Sequence, residues 1–172
     1  MLEKLEDAAH VHELIAALEG NSGRSRQRIK RRLNKIVSEV YSPPRVTAAA
    51  KLMPEYGIIP GLALDLTVNY EKGEPWDFSK REQRVKAKLM LEKQGPLFLI
   101  GTPMCTAFSR WQDVWNTRRT DEETKAIMTE ARLHLRFTME LYNAQIEAGR
   151  YFIHEHPAYA RSWDEDSTKA IM

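Results

Sequence analysis

Two short apolar runs end abruptly in residues able to do chemistry. The first, Leu97-Phe-Leu-Ile-Gly-Thr-Pro-Met-Cys105-Thr-Ala-Phe-Ser109, carries the only cysteine of the 172-residue chain. The second, Tyr151-Phe-Ile-His-Glu155-His-Pro157, ends in a glutamate flanked by two histidines. A thiolate is a strong nucleophile once its pKa is lowered and ligand can reach it. A carboxyl group at a strand end serves as an acid or as a hydrogen-bond anchor. In open α/β sheets, ligands gather beyond the carboxyl ends of the strands. Strands ending near Cys105 and Glu155 therefore place a thiol and a carboxyl group where one ligand can meet both. Each residue also has a plainer reading. Most lone cysteines are small buried apolar residues, and Glu155 with its histidines can simply close a strand as a polar cluster. A metal at His154-Glu155-His156 is not expected, because successive strand residues point to opposite faces and no second ligand cluster is evident. A Cys-His hydrolase pairing Cys105 with His154 or His156 lacks an Asn or Asp orienter at a telling spacing.

Other polar and aromatic residues belong with this pair. Asp65 ends an apolar run 23 positions after Ser42, near where nucleotide-binding sheets hold ribose hydroxyls. Asp77, in Trp76-Asp-Phe78, precedes a helix start and suits either a ligand amino group or a cap. Trp111 and Trp115, with Phe108 and Arg110, follow the cysteine; aromatics interleaved with arginines stack on bases, and a hydrophobic lid on the sheet explains them equally well. Arg118 and Arg119 add positive charge to the same loop. Upstream, Arg24, Arg26, Arg28, Lys30, Arg31, Arg32 and Lys35 fall within twelve residues without an acidic one among them. Such a cluster suits phosphate backbones, although a solvated basic helix or linker has the same composition.

The elements that must position these residues follow from periodicity. Val11, Leu14, Ile15 and Leu18 predict an amphipathic helix over residues 2–19, stopped by Gly20-Asn21-Ser22-Gly23. Residues 1–35 read as a helical, basic N-terminal extension, and 36–172 as the α/β domain. Within it, Ile36–Tyr41, Gly61–Leu66, Leu97–Thr102 and Tyr151–His154 are expected strands. Helices are expected from Pro44 to about Met53, from a capping box at Ser79-Lys-Arg-Glu82 to about Gln94, and from a second box at Thr120-Asp-Glu-Glu123 to Ala148. The long last helix is expected to bury a face including Ile127, Ala131, Leu135, Tyr142 and Ile146, and a further helix is expected after Trp163. Strands alternating with helices imply a Rossmann-like, doubly wound, mainly parallel sheet, with fewer strands than such sheets usually carry.

Bulk properties bound the class. Composition is ordinary for a globular domain: 42% hydrophobic, 29% charged, net charge +2. No apolar run reaches the roughly 20 residues that span a bilayer, and the start Met-Leu-Glu-Lys-Leu-Glu-Asp is unlike a secretory signal. One cysteine excludes an internal disulfide, so a reducing intracellular compartment, cytoplasm or nucleus, is the expectation.

The order of these pieces resembles the catalytic core of the cytosine-5 DNA methyltransferases, and more closely a compact, divergent group found in eukaryotic and mobile-element sequences. The resemblance covers roughly residues 36–163. Glu39-Val-Tyr-Ser-Pro-Pro-Arg45 stands where the family has its first strand and cofactor loop, Asp65 at its ribose-binding acid, and Asp77-Phe78 at its adenine-side pair. Gly101-Thr-Pro-Met-Cys105-Thr-Ala-Phe-Ser109 looks like its Pro-Cys-Gln-x-Phe-Ser motif, and His154-Glu155-His156 like Glu-Asn-Val. The resemblance implies a transferase that uses S-adenosylmethionine and acts on cytosine in nucleic acid, DNA before RNA. Cys105 would be its nucleophile and Glu155 its base-recognising acid. Tyr41, Ser42, Asp65, Asp77, Phe78 and Pro103 would hold the cofactor. Arg24, Arg26, Arg28, Lys30, Arg31, Arg32, Arg110, Arg118 and Arg119 would hold nucleic acid. The family's glycine-rich loop is here Ser-Pro-Pro-Arg, Met104 and Thr106 replace its proline and glutamine beside the cysteine, and no counterpart of its later arginine motif precedes Met172. The alternative is an inactive α/β domain that binds nucleic acid through residues 24–35.

Overall fold

A computed structural model describes residues 35–67, 69–70, 74–112 and 117–172. The N-terminal helix, six of the basic residues (Arg24, Arg26, Arg28, Lys30, Arg31 and Arg32) and Trp115 lie outside the described residues. The described chain comprises β1 (Ile36–Val40), α1 (Val46–Leu52), β2 (Ile59–Leu64), β3 (Asn69–Tyr70), β4 (Glu74–Pro75), α2 (Arg81–Gln94), β5 (Phe98–Gly101), α3 (Asp121–Glu147), β6 (Tyr151–His154) and α4 (Asp166–Lys169). Short 3-10 turns occupy Pro54–Tyr56, Thr106–Phe108 and Arg161–Asp164.

Four strands form one all-parallel sheet in the order β2-β1-β5-β6, flanked by helices, so the protein is α/β and Rossmann-like. From β1 the chain moves outward to β2, then crosses back to β5 on the other side of β1. The carboxyl ends of β1 and β5 therefore meet at a topological switch point, where such sheets place their ligands. Burial on both faces explains why β1 reads Ile-Val-Ser-Glu-Val, with Ser38 and Glu39 buried as fully as Val40. β3 and β4 make a two-residue antiparallel ladder that period-two patterning is too short to reveal.

Helix α3 is set by its ends. Thr120 accepts from the Glu123 amide (3.2 Å) while the Glu123 carboxylate accepts from the Thr120 amide (2.9 Å), completing the expected capping box. Asp121, Glu122 and Glu123 complement the positive end of the helix dipole. At its far end Gly149 is left-handed (φ 66°), and the Gly149 and Arg150 amides return to Ile146 and Gln145, a Schellman closure. Ala131, Leu135 and Tyr142 are buried as expected, together with His134, Phe137, Thr138, Leu141 and Gln145. Ile127 and Ile146 are exposed, because the buried stripe drifts round so long a helix.

Helix α2 corrects one expectation. Its N-cap is Lys80 and no side chain caps it. Ser79 instead gives its hydroxyl (2.5 Å) and amide (3.0 Å) to Asp77 Oδ1, so its oxygen is committed to a turn before the helix. Gln83 accepts from the Asp77 amide (2.6 Å) and so braces the same turn against the helix. The helix ends, as expected, on left-handed Gly95. Helix α1 likewise opens at Val46, two residues beyond Pro44, for a reason that lies in Glu39.

Candidate functional site

The site is built on three strand ends fastened to one another. After β5, the Thr102 amide donates to Val40 O (3.1 Å) and its hydroxyl to Tyr41 O (2.8 Å), tying β5 to β1. After β6, the Glu155 amide donates to Gly101 O (3.0 Å), extending the β5–β6 pairing one residue past the ladder. His156 supplies the strongest link: its Nε2 lies 2.7 Å from Pro103 O and its Nδ1 2.6 Å from Ser162 Oγ. Burial pushes its pKa below the usual value, so the ring is neutral near pH 7. A carbonyl can only accept, so Nε2 carries the proton and Nδ1 accepts from the serine hydroxyl. This bond holds the segment leading into Cys105 against the segment following Glu155.

Cys105 is half-buried at the start of the 3-10 turn Thr106–Phe108, where its carbonyl accepts from the Phe108 amide (3.0 Å). Phe108, wholly buried, anchors that turn. Glu155 is exposed. Thus the thiol and the carboxyl group both sit in loops at the carboxyl edge of the sheet, one after each of two adjacent parallel strands.

His154 has a different role. Its Nδ1 lies 3.1 Å from the buried Tyr142 hydroxyl, which is also 3.2 Å from Gly101 O and Ile153 O. Its Nε2 is buried without a hydrogen-bond partner. Burial, aided by the neighbouring His156, lowers its pKa to about 4. It is a neutral ring wedged among Tyr142, His156 and Trp163. Among the described residues no three His, Cys, Asp or Glu side chains are grouped to hold a metal ion.

The β1 end is organised by a residue the sequence reading passed over. Glu39 is 1% exposed. Its Oε1 accepts from the Arg45 amide (3.1 Å), the Thr47 amide (2.8 Å) and the Thr47 hydroxyl (2.8 Å), and its Oε2 from Ser42 (3.1 Å). The signal was a carboxylate inside an apolar strand, which must find donors to be buried at all. The bonds to Arg45 and Thr47 hold the start of α1 beyond Pro44. They also occupy amides that a glycine-rich loop would turn toward a phosphate or a cofactor. Tyr41 leaves the strand at φ 61°, a left-handed conformation in which a side chain is strained. Packing sustains it: the ring lies 4.8 Å from Phe78, and its hydroxyl is 2.9 Å from His134 Nδ1. Burial raises the Tyr41 pKa and lowers that of His134, so a neutral phenol donates to a neutral imidazole.

The remaining expected cofactor residues divide into two kinds. Phe78 is wholly buried between Tyr41, Trp76 and Phe137, and Pro103 and Ser42 are buried. Asp65 and Asp77 keep polar atoms at the surface of that cluster. Asp65 Oδ2 accepts from the Thr67 amide (3.2 Å) and hydroxyl, while Oδ1 has no hydrogen-bond partner among the described residues. Asp77 is half-buried and held below the usual carboxylate pKa, first by its bond from Ser79. Asp65 Oδ1 is thus an acceptor that the described residues leave unused, on a side chain that is itself buried.

Of the arginines after Cys105, Arg110 and Arg118 are exposed, and Arg119 donates to Gln112 Oε1 (2.7 Å). Of the aromatic residues described there, Phe108 packs inward and Trp111 is 76% exposed. Among the described residues no helix is long and apolar enough to cross a membrane. No family model matches the chain, and no curated protein or solved structure shows significant similarity to it.

Proposed function

We propose that this domain modifies cytosine in nucleic acid by covalent catalysis, with Cys105 as nucleophile and Glu155 as the group that recognises the base. The observation that supports it most is the fastening of their two loops by the His156–Pro103 bond at the carboxyl edge of a parallel sheet. In this reading the Cys105 thiolate adds to carbon 6 of an unstacked cytosine, and the electron pair of the 5,6 double bond becomes available at carbon 5. Glu155, as a carboxylic acid, donates to ring nitrogen 3 and draws charge from the ring as the C–S bond forms. S-adenosylmethionine supplies the methyl group when bound. Loss of the carbon-5 proton and departure of the thiolate then restore the aromatic base and the free cysteine. Asp65 would hold the cofactor's ribose through Oδ1, and the base must leave the duplex stack because neither side chain reaches it otherwise.

One observation favours a second reading, a domain that binds nucleic acid without transferring a methyl group. Glu39 takes the loop amides for itself and Tyr41 stands at a left-handed position where glycine is at ease. Calorimetric titration with S-adenosylmethionine separates the two. The enzymatic reading expects saturable binding that Asp65→Ala abolishes. Absence of binding to the intact chain selects the second reading.

A further inference from the structure

Beyond the cysteine–glutamate pair, the same edge of the sheet carries two large aromatic rings that the fold does not use. Trp111 is 76% exposed and Tyr159 is 80% exposed. Neither ring has a ring contact or a side-chain hydrogen bond among the described residues, although one follows the cysteine loop and the other follows β6. They line one groove of about 290 Å³, which Arg110 and Pro157 also line. That volume is at the small end of ligand-sized clefts.

Arg110 is exposed and has no ion-pair partner among the described residues. It also lines the adjoining cleft of about 550 Å³ with Tyr159, Arg161, Asp164 and Glu165. Of the acids of that cleft, Glu165 is taken by Arg132, both its oxygens accepting from Nε at 3.0 Å, while Asp164 is an exposed carboxylate 3.9 Å from Lys169. Two exposed aromatic rings and an exposed guanidinium lining one groove suit a flat π-system carrying a negative charge beside it.

We infer that Trp111 and Tyr159 form a stacking site for an unpaired DNA base, with Arg110 holding the adjacent phosphate. An unpaired base has both faces free for aromatic rings, whereas a base within a duplex does not. The choice of DNA rests on the cytosine reading above; the stacking site itself does not. It would grip the strand next to the base offered to Cys105.

The test is fluorescence anisotropy of the full chain with a labelled 12-nucleotide DNA strand, without cofactor and with Cys105→Ser, so that failure of the chemistry leaves the result intact. The comparison strand has the same phosphates but abasic sugars, which removes stacking and keeps the charge that the basic segment 24–35 would also bind. The intact protein should prefer the base-bearing strand about tenfold or more, and Trp111→Ala with Tyr159→Ala should remove that preference. Arg110→Ala should weaken both strands alike and flatten the salt dependence. Both aromatic side chains are exposed, so the variants should retain the parent's thermal unfolding. A preference for bases that survives the double substitution, or none in the intact protein, overturns the proposal; tighter binding of the equivalent ribose strand overturns the choice of DNA.

Discussion

Glu39 gives the sharpest test of how the β1 end is held. Replacing it with alanine leaves the Arg45 and Thr47 amides and the Thr47 hydroxyl without their acceptor, at a position where the side chain is 1% exposed. Each stranded donor costs about 1–3 kcal/mol, and water entering the vacated space recovers part of that. A loss of about 3–5 kcal/mol is expected, a large share of the roughly 5–15 kcal/mol that stabilises an ordinary domain. Glu39→Gln is the informative partner. With its amide oxygen in the Oε1 position, the three bonds to Oε1 survive, the long Arg45 contact to Oε2 (3.4 Å) is lost, and the new NH2 group faces Ser42, whose hydroxyl can accept while donating to Pro43 O (2.8 Å). That variant should lose only about 1 kcal/mol. Urea unfolding at neutral pH, followed by tryptophan fluorescence, reads both values. An alanine variant within about 1 kcal/mol of the parent, or a glutamine variant as unstable as alanine, would refute the capping account.

Two further outcomes follow from packing and titration. A methyl group at Gly101 would collide with the Tyr142 hydroxyl and lie 2.9 Å from Tyr142 Cζ and 3.0 Å from Thr138 Cγ2. Gly101→Ala should therefore cost about 3 kcal/mol by urea unfolding, part of it recovered by Tyr142→Phe; an unchanged midpoint would show that the Tyr142 ring yields freely. His134, His154 and His156 are all held below the ordinary value of 6.5 by burial, so the unfolded chain binds protons more readily than the folded one. Their contribution is fully present above pH 6.5 and is lost as pH falls, for His154 through about 4. Urea midpoints should decline across that window, less steeply in His154→Asn, and equal slopes for the two proteins would remove His154 from the explanation.

What could be read in advance was whatever local chemistry decides. The Thr120–Glu123 capping box and the glycine stops at Gly95 and Gly149 depend on neighbours within a few residues, and the parallel sheet follows from the alternation of strands with helices; all are present. The Ser79 box had the same pattern and failed, because Asp77 lies two residues upstream and competes for the serine hydroxyl. His156 could be seen only as a flank of Glu155, since its partner Pro103 is 53 residues away. Glu39 stood within the segment compared with a cofactor loop, and its partners Arg45 and Thr47 lie only six and eight residues on. Its role still escaped notice, because it depends on the backbone turn at Tyr41. Tyr159 enters only through the proposed stacking site: an isolated tyrosine carries no pattern, and the groove it shares with Trp111 is formed by the fold.

The central claim is that Cys105 attacks a pyrimidine ring beside Glu155. Incubation with S-adenosylmethionine and a single-stranded oligonucleotide bearing 5-fluorocytosine, followed by intact-mass spectrometry, tests it directly, because fluorine at carbon 5 prevents loss of a proton there and arrests the covalent adduct. The account predicts a protein–DNA adduct carrying one added methyl group, mapped to Cys105, absent in Cys105→Ser and strongly diminished in Glu155→Gln. Unmodified protein, under conditions in which both cofactor and strand are shown to bind, would contradict it.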